Sequence, residues 1–230
     1  MYLCEREGTV LQKYDAVLFD VDGTLIDSAP GILNTLKETF DAMGVDIDRE
    51  SLRRYIGPPL RKSFGEHFSD LSQIERATDI YRESYAIKGS HECVVYSGVI
   101  EMLHKLKDAG FVLCTATCKP IEVVTPILEE QGLAQIFDFI GGASMDESRD
   151  TKTDVIRYVL SQPIMDGKRV LMVGDRNDDM IGAANNNIDA AAVLYGYGSS
   201  EELLPFKPVC AVDSCAELTA FVLNNQYSGE

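Results

Sequence analysis

Short apolar runs recur along this chain, with segments of helical period between them. They are Ala16-Val17-Leu18-Phe19, Phe111-Val112-Leu113-Cys114-Thr115-Ala116, Val170-Leu171-Met172-Val173, Ala190 to Leu194, and Val209-Cys210-Ala211-Val212. Runs this short, bounded by turn residues, read as strands buried on both faces. Strands that alternate with helices pair in parallel through crossovers, and each crossover lays a helix over the sheet. The alternation therefore predicts an α/β fold, a Rossmann-like parallel sheet core with helices on both faces.

The connecting pattern predicts a helix from Ser97 to Ala109 closed by Gly110. A second runs from Pro120 to Gly132 and bends or breaks near Pro126, and a short strand follows around Phe139-Ile140. Further helices span about Lys152 to Leu160, begin after Asp178, and run from Cys215 to Leu223. One stretch departs from the alternation. Ile32, Leu33, Leu36, Phe40 and Met43 form one apolar helical face, with Ser28 or Asp27 as cap, Pro30 in the first turn and Gly44 as the stop. Gly57-Pro58-Pro59 makes a stiff loop, and Ile74, Ala77, Tyr81 and Tyr85 stripe a helix over Leu71 to Lys88. With no strand pattern between residues 29 and 92, residues 29–95 read as an all-helical inserted domain. Residues 1–28 and 96–230 then form the core, and the first 13 residues precede its first strand.

Where the apolar runs end, one kind of residue gathers. The first run delivers Asp20-Val21-Asp22-Gly23-Thr24, and strand alternation points Asp20 and Asp22 the same way. The second run ends in Thr117 and Lys119, the third in Gly174-Asp175-Arg176-Asn177-Asp178-Asp179, and Lys152 opens the helix between them. In open α/β sheets, ligands bind at the C-terminal strand edge. Like charges brought together there need a cation or a shared proton. A dense carboxylate set suits magnesium, which is held by one or two carboxylates plus a substrate phosphate. A calcium loop counted from Asp175 fails, because Met180 stands where glycine is required and Asn186 where the bidentate Glu belongs.

These residue types carry phosphoryl chemistry. One carboxylate can attack phosphorus and form an acyl-phosphate. A second can protonate the departing alkoxide and later deprotonate water. A cation offsets charge on the phosphoryl oxygens, and a Thr hydroxyl with backbone N–H groups holds them. Taken singly, each residue has an ordinary explanation: Asp favours turns, Thr suits strands, and Lys solvates a helix. In order at successive strand ends, those explanations fail together.

Charge and composition narrow the partners. A net charge of −16 argues against a nucleic-acid backbone, which needs a basic patch. It also repels small anions at long range, so a bound phosphate requires local cancellation by a metal and placed cations. Most of the carboxylates need no role beyond solubility. No apolar run reaches transmembrane length, and Met1 to Lys13 lacks the features of a signal peptide. A cytoplasmic protein without a membrane partner is expected, as a monomer or homodimer. Cys4, Cys93, Cys114, Cys118, Cys210 and Cys215 contain no C-x-x-C and, with His67, His91 and His104, no zinc spacing. They read as structural thiols, and the histidines as structural or exposed.

From Tyr14 to the last helix, the insertion included, the chain resembles the haloacid dehalogenase superfamily of aspartate-nucleophile phosphohydrolases. The resemblance rests on Asp20-Val21-Asp22-Gly23-Thr24, on Thr117 in Thr117-Cys118-Lys119-Pro120, on Lys152, and on Gly174-Asp175 with Asp179. It implies Asp20 as nucleophile and Asp22 as general acid/base. It implies Mg2+ held by the Asp20 side chain, the Asp22 backbone carbonyl and Asp175, with Asp179 supporting it directly or through water. Thr117 and Lys152 would hold the phosphoryl group, joined by Gly23 and the Cys118 N–H, and Lys152 would neutralise Asp20. Lys119 competes with Lys152, and Asp178 with Asp179; helix-start placement and four-residue spacing favour Lys152 and Asp179.

The insertion is similar to the small helical (C1-type) cap of the phosphoglycolate phosphatase-like subgroup. Its hinges fall near Asp27-Ser28 and Val95-Tyr96-Ser97-Gly98, and Gly57-Pro58-Pro59-Leu60 before Arg61-Lys62 is a candidate specificity loop. The implied activity is hydrolysis of a small phosphorylated metabolite, phosphoglycolate-like, through an aspartyl-phosphate. A 5'-nucleotidase, a pyrophosphatase and a phosphomutase are the alternatives. A dehalogenase lacks the partner that Asp22 supplies.

Overall fold

The computed structural model of the protein describes residues 11–146, 148–224 and 226–227. Its strands are β1 (Leu11–Gln12), β2 (Ala16–Phe19), β3 (Ile26–Asp27), β4 (Val94–Val95), β5 (Val112–Pro120), β6 (Phe139–Ala143), β7 (Val170–Gly174), β8 (Asp189–Val193), β9 (Cys210–Val212) and β10 (Gln226–Tyr227). Its helices are α1 (Ala29–Ala42), α2 (Leu60–Gly65), α3 (Leu71–Ile87), α4 (Val99–Asp108), α5 (Ile121–Glu130), α6 (Lys152–Leu160), α7 (Asn177–Asn185), α8 (Ser200–Leu203) and α9 (Cys215–Asn224).

Six strands join in parallel in the order β6-β5-β2-β7-β8-β9. This is the doubly wound order, with the first core strand at the centre and the chain winding outward to either side. The period-2 alternation of β2 sorts its side chains between the two faces. Val17 and Phe19 join the core beneath α4, α5 and α9, whereas Ala16 and Leu18 join the core beneath α6 and α7. All four are fully buried, which is why the run carries no polar residue.

The helical insertion leaves and rejoins the core through β3 and β4, which pair antiparallel as Ile26 with Val95 and Asp27 with Val94. Strands of two residues leave no periodicity to read, so sequence patterning finds only the junctions. Within the insertion, Phe40 of α1 packs edge-on against Phe64 at 5.4 Å and His67 at 4.9 Å. His67 also lies 2.7 Å from the Tyr55 hydroxyl and belongs to this packing.

Several local expectations change. The break at Pro126 does not occur. Pro126 and Glu122 lie on the exposed face, where a carbonyl left without its helical donor is open to solvent at little cost, while buried Val124, Ile127 and Leu128 hold α5 to the sheet. α7 begins at Asn177, before Asp178. Ser28 does not cap α1 through its side chain; the first N–H groups go to the Tyr197 hydroxyl and the Asp27 carboxylate instead. Residues 1–10, with Cys4, lie outside the described residues, and β1 pairs with β10. Among the described residues Cys93, Cys114, Cys118, Cys210 and Cys215 are free thiols, and no helix is long and apolar enough to cross a membrane.

Candidate active site

Parallel register aligns the strand ends. Phe19 pairs with Thr115 on one side and Val173 on the other. The residues just beyond, Asp20, Thr117 and Asp175, therefore gather at the centre of the sheet, where the winding direction reverses. α6 and α7 add Lys152 and Asp179 from one face. Thr151 caps α6 by accepting from the Asp154 N–H, which sets Lys152 in the first turn. Gly182 lets α7 approach it, since a Cβ there would fall 2.8 Å from the Lys152 Cγ.

The ammonium of Lys152 stands 2.8 Å from Asp20 Oδ1 and 2.7 Å from Asp179 Oδ1, and donates to the Ala116 carbonyl at 2.9 Å. Asp179 turns its other oxygen back to accept the Arg176 N–H at 3.0 Å. Asp175 accepts from Thr24 Oγ1 at 3.1 Å and from the Tyr197 N–H at 2.8 Å. Oxygens of Asp20, Asp175 and Asp179 lie within 4.8 Å of one another, and all three residues are buried. Glycine shapes the wall around them. A Cβ on Gly23, whose φ is +84°, would fall 2.2 Å from Asp175 Oδ2, and one on Gly196 would fall 2.6 Å from the same oxygen.

One ammonium does not balance three carboxylates. Burial, and secondarily the neighbouring Asp179, push Asp20 up to about 6 against the pull of Lys152. Burial and the charges of Asp179 and Asp20 raise Asp175 well above the usual carboxylate range. Buried, oxygen-only and short of positive charge, the triad fits a hard divalent cation such as Mg2+.

The sign of the linkage gives a test. Asp20 titrates higher in the folded chain than its unfolded value of 3.8. The metal-free native state therefore binds more protons, and this contribution to stability, full below pH 4, is lost as pH rises through 6. A divalent cation bound by the triad would take the place of that proton. Adding MgCl2 at about 100 times its Kd should stabilise the protein by about 2.7 kcal/mol at pH 7.5, or about 5–10 °C in Tm, and much less at pH 5. Thermal melts with and without MgCl2 at both pH values check this. Equal shifts at the two would refute it.

The site also separates the paired expectations. Asp22 lines the same cavity as Asp20 but stands outside the triad: its Oδ1 accepts from Lys119 Nζ at 2.8 Å and from the Ser28 hydroxyl. Each site aspartate of the first motif thus has its own lysine. Asp179 is fully buried, whereas Asp178 is exposed on the cavity rim. Thr117 is buried, with its hydroxyl accepting the Lys119 N–H at 3.2 Å. Burial pushes the Cys118 thiol up to about 12, which leaves it protonated and inert. Gly23 donates its N–H to the Ile26 carbonyl at 2.9 Å. Its place against Asp175 makes it a spacer for that carboxylate as well as an expected phosphate contact.

A cavity of about 780 Å³ opens over the strand ends, roofed by the insertion. The expected loop from Gly57 to Lys62 lines it, and Arg61 there pairs with Glu75 at 2.7 Å. Sequence reading missed Tyr55, and also Tyr81 and Tyr85, whose helical stripe looks like core; all three line the cavity. It also missed Arg176, which donates to the Ile56 carbonyl at 2.6 Å and pairs with Glu202 at 2.9 Å, tying the core to the insertion. Its signal was its place next to Asp175.

Residues 17–193 match the model of the haloacid dehalogenase-like hydrolase family. The chain is 33% identical over 210 residues to a 5'-nucleotidase of Pseudomonas aeruginosa, covering 90% of this chain and 94% of that protein. A phosphoglycolate phosphatase of Vibrio parahaemolyticus is 30% identical over 222 residues, 92% of this chain and 97% of that one. Tyrosine-protein kinase PtkA of Mycobacterium tuberculosis is 36% identical over 186 residues, and this chain spans 64% of its length. The crystal structure of a predicted phosphatase from Clostridium acetobutylicum superposes with a TM-score of 0.87 at 41% identity, covering 92% of this chain and 99% of that one.

Proposed function

The chain belongs to the haloacid dehalogenase-like hydrolase family, and from that premise we propose that it is a Mg2+-dependent phosphomonoester hydrolase. Its substrate is a small cytosolic phosphorylated metabolite of the phosphoglycolate kind, and its intermediate is an aspartyl-phosphate on Asp20. The observation that carries this reading is the Asp20 carboxylate, set at the central strand end beside Lys152 and facing the cavity. The relative from Vibrio parahaemolyticus supports the substrate class.

The site residues divide the work. Asp20 and Asp175 would hold Mg2+ with the Asp22 carbonyl, Asp179 would support it directly or through water, and the ion supplies charge compensation to the phosphoryl oxygens. An Asp20 oxygen bonds to phosphorus as the ester P–O bond breaks, and Asp22 gives its proton to the leaving oxygen. Asp22 then takes a proton from water as that water attacks the aspartyl-phosphate, which returns Asp20 as carboxylate and releases inorganic phosphate. Lys152 and Thr117 hold the transferring group in line. The insertion acts as a cap that excludes water and meets the leaving group.

A nucleoside monophosphate is the second reading. The cavity, walled by Tyr55, Tyr81 and Tyr85, is roomier than a two-carbon acid requires, and the relative from Pseudomonas aeruginosa supports it. Phosphate release should be measured from 2-phosphoglycolate, nucleoside monophosphates, pyrophosphate and a hexose phosphate, with MgCl2 and with EDTA. Release that EDTA abolishes is expected, and the preferred ester decides between the two readings. EDTA-resistant release would refute the metal-dependent mechanism. An absolute need for a sugar bisphosphate activator would mean a phosphomutase.

A further inference from the structure

Lys119 has no part in the carboxylate triad, yet its side chain is only 9% exposed. Its ammonium lies between groups from opposite sides of the cavity. Asp22 Oδ1 stands 2.8 Å away on the core side, and the Tyr85 hydroxyl of α3 stands 2.8 Å away on the insertion side. The ammonium also sits over the Tyr85 ring, 4.9 Å from its centroid. That ring stacks on Tyr81 at 5.5 Å with the planes 9° apart, which makes the insertion side of the contact rigid.

Asp22 is gripped by one oxygen. Lys119 and the Ser28 hydroxyl both donate to Oδ1 and neither holds Oδ2, and Asp22 lines the cavity. Ser28 belongs to the junction with the insertion, next to β3. The carboxylate is therefore held by a core lysine and by a junction serine, and that lysine is in turn held by the insertion.

We propose that Lys119 is a positioning residue that couples docking of the helical insertion, through Tyr85, to the orientation of the Asp22 carboxylate. The inference rests on the reading of Asp22 as the proton-transfer group of the phosphatase proposed above. Proton transfer requires an oxygen within hydrogen-bond reach of the leaving group, so a carboxylate free to rotate is a poor acid and a poor base. Docking of Tyr85 completes the grip on Lys119. Undocking leaves Lys119 with Asp22 alone and loosens both.

The test is a double-mutant cycle on steady-state hydrolysis of p-nitrophenyl phosphate, whose leaving group needs no proton, so that only the attack of water calls on Asp22 and a measurable residual turnover is expected of Asp22→Asn. Lys119→Met should lower kcat about 10- to 100-fold with KM changed less than about threefold. In the Asp22→Asn background the same substitution should lower kcat by less than about twofold, because a residue acting through Asp22 has nothing left to position. Tyr85→Phe, which preserves the ring and its stacking, should lower kcat several-fold at unchanged KM and Tm. Multiplying effects in the double variant would show that Lys119 acts independently of Asp22. A rise in KM at intact kcat would make it a substrate-binding group, and a wild-type Tyr85→Phe would remove the insertion from the coupling. Each of these outcomes overturns the proposal. If Lys119→Met does not fold, Tyr85→Phe with Asp22→Asn runs the same cycle. Activity that survives Asp20→Asn would sink the phosphatase reading itself. A dead Asp20→Asn with a multiplicative cycle would sink only the role of Lys119.

Discussion

Asp20→Asn is expected to lower phosphate release by a factor on the order of 10⁴ or more while leaving the protein folded. The amide cannot attack phosphorus, and the neighbouring carboxylates are committed elsewhere. Asp22 is anchored by Lys119 and Ser28, and Asp175 by Thr24 and the Tyr197 backbone. Stability should move the other way. The substitution removes one of three crowded buried carboxylates while Lys152 keeps Asp179 as its partner. In EDTA at pH 7.5 the variant should therefore melt at or above the wild-type temperature, since charging Asp20 there works against the folded state. A dead enzyme of raised Tm separates chemistry from folding. Activity within about tenfold of wild type would show that the nucleophile is another group.

Lys152→Met should have the largest effect on stability. Methionine keeps much of the length and packs against Gly182, but it removes the cation shared by Asp20 and Asp179 and the donor to the Ala116 carbonyl. Removing one partner of a buried ion pair costs about 3–5 kcal/mol, which for a chain of this size is about 6–20 °C in Tm. The cost depends on pH in a defined direction. It is full at pH 7.5, above the value to which Asp20 is raised, and shrinks towards pH 5 as Asp20 takes up a proton. MgCl2 should restore part of the lost stability by supplying positive charge to the same oxygens. Turnover should still fall about 10²–10³-fold, because in the proposed mechanism the ammonium also holds the phosphoryl group. Melting curves at pH 5 and 7.5, in EDTA and in MgCl2, read all of this. A wild-type Tm at pH 7.5 in EDTA would show that Lys152 is not the group that balances the triad.

Much of the core was legible because its signals are local. The apolar run from Ala16 to Phe19 becomes a fully buried central strand, and the helix expected from Lys152 to Leu160 spans those residues because Thr151 caps it. Other features had no local signal. β3 and β4 are two residues each and exist through their pairing with one another. Pro126 carries a strong local signal for a break, and packing of its buried neighbours overrides it. Tyr81 and Tyr85 follow the same helical stripe as core residues, and only the roof they form over the strand ends gives them a place in the site.

The division is sharpest at the lysines. Residue order alone dictates that carboxylates, a hydroxyl and ammonium groups arrive at the C-terminal ends of parallel strands, since strand periodicity and turn chemistry are properties of a few adjacent residues. Which lysine serves which aspartate is settled by the strand order β6-β5-β2-β7-β8-β9 and by the two helices that close on it. Lys152 meets Asp20 and Asp179, whereas Lys119 meets Asp22 across 97 positions of the chain and reaches out to Tyr85. In the open chain, water and salt screen Coulomb attraction beyond about 8 Å. Charges far apart in the chain are therefore paired by the packing that brings them together.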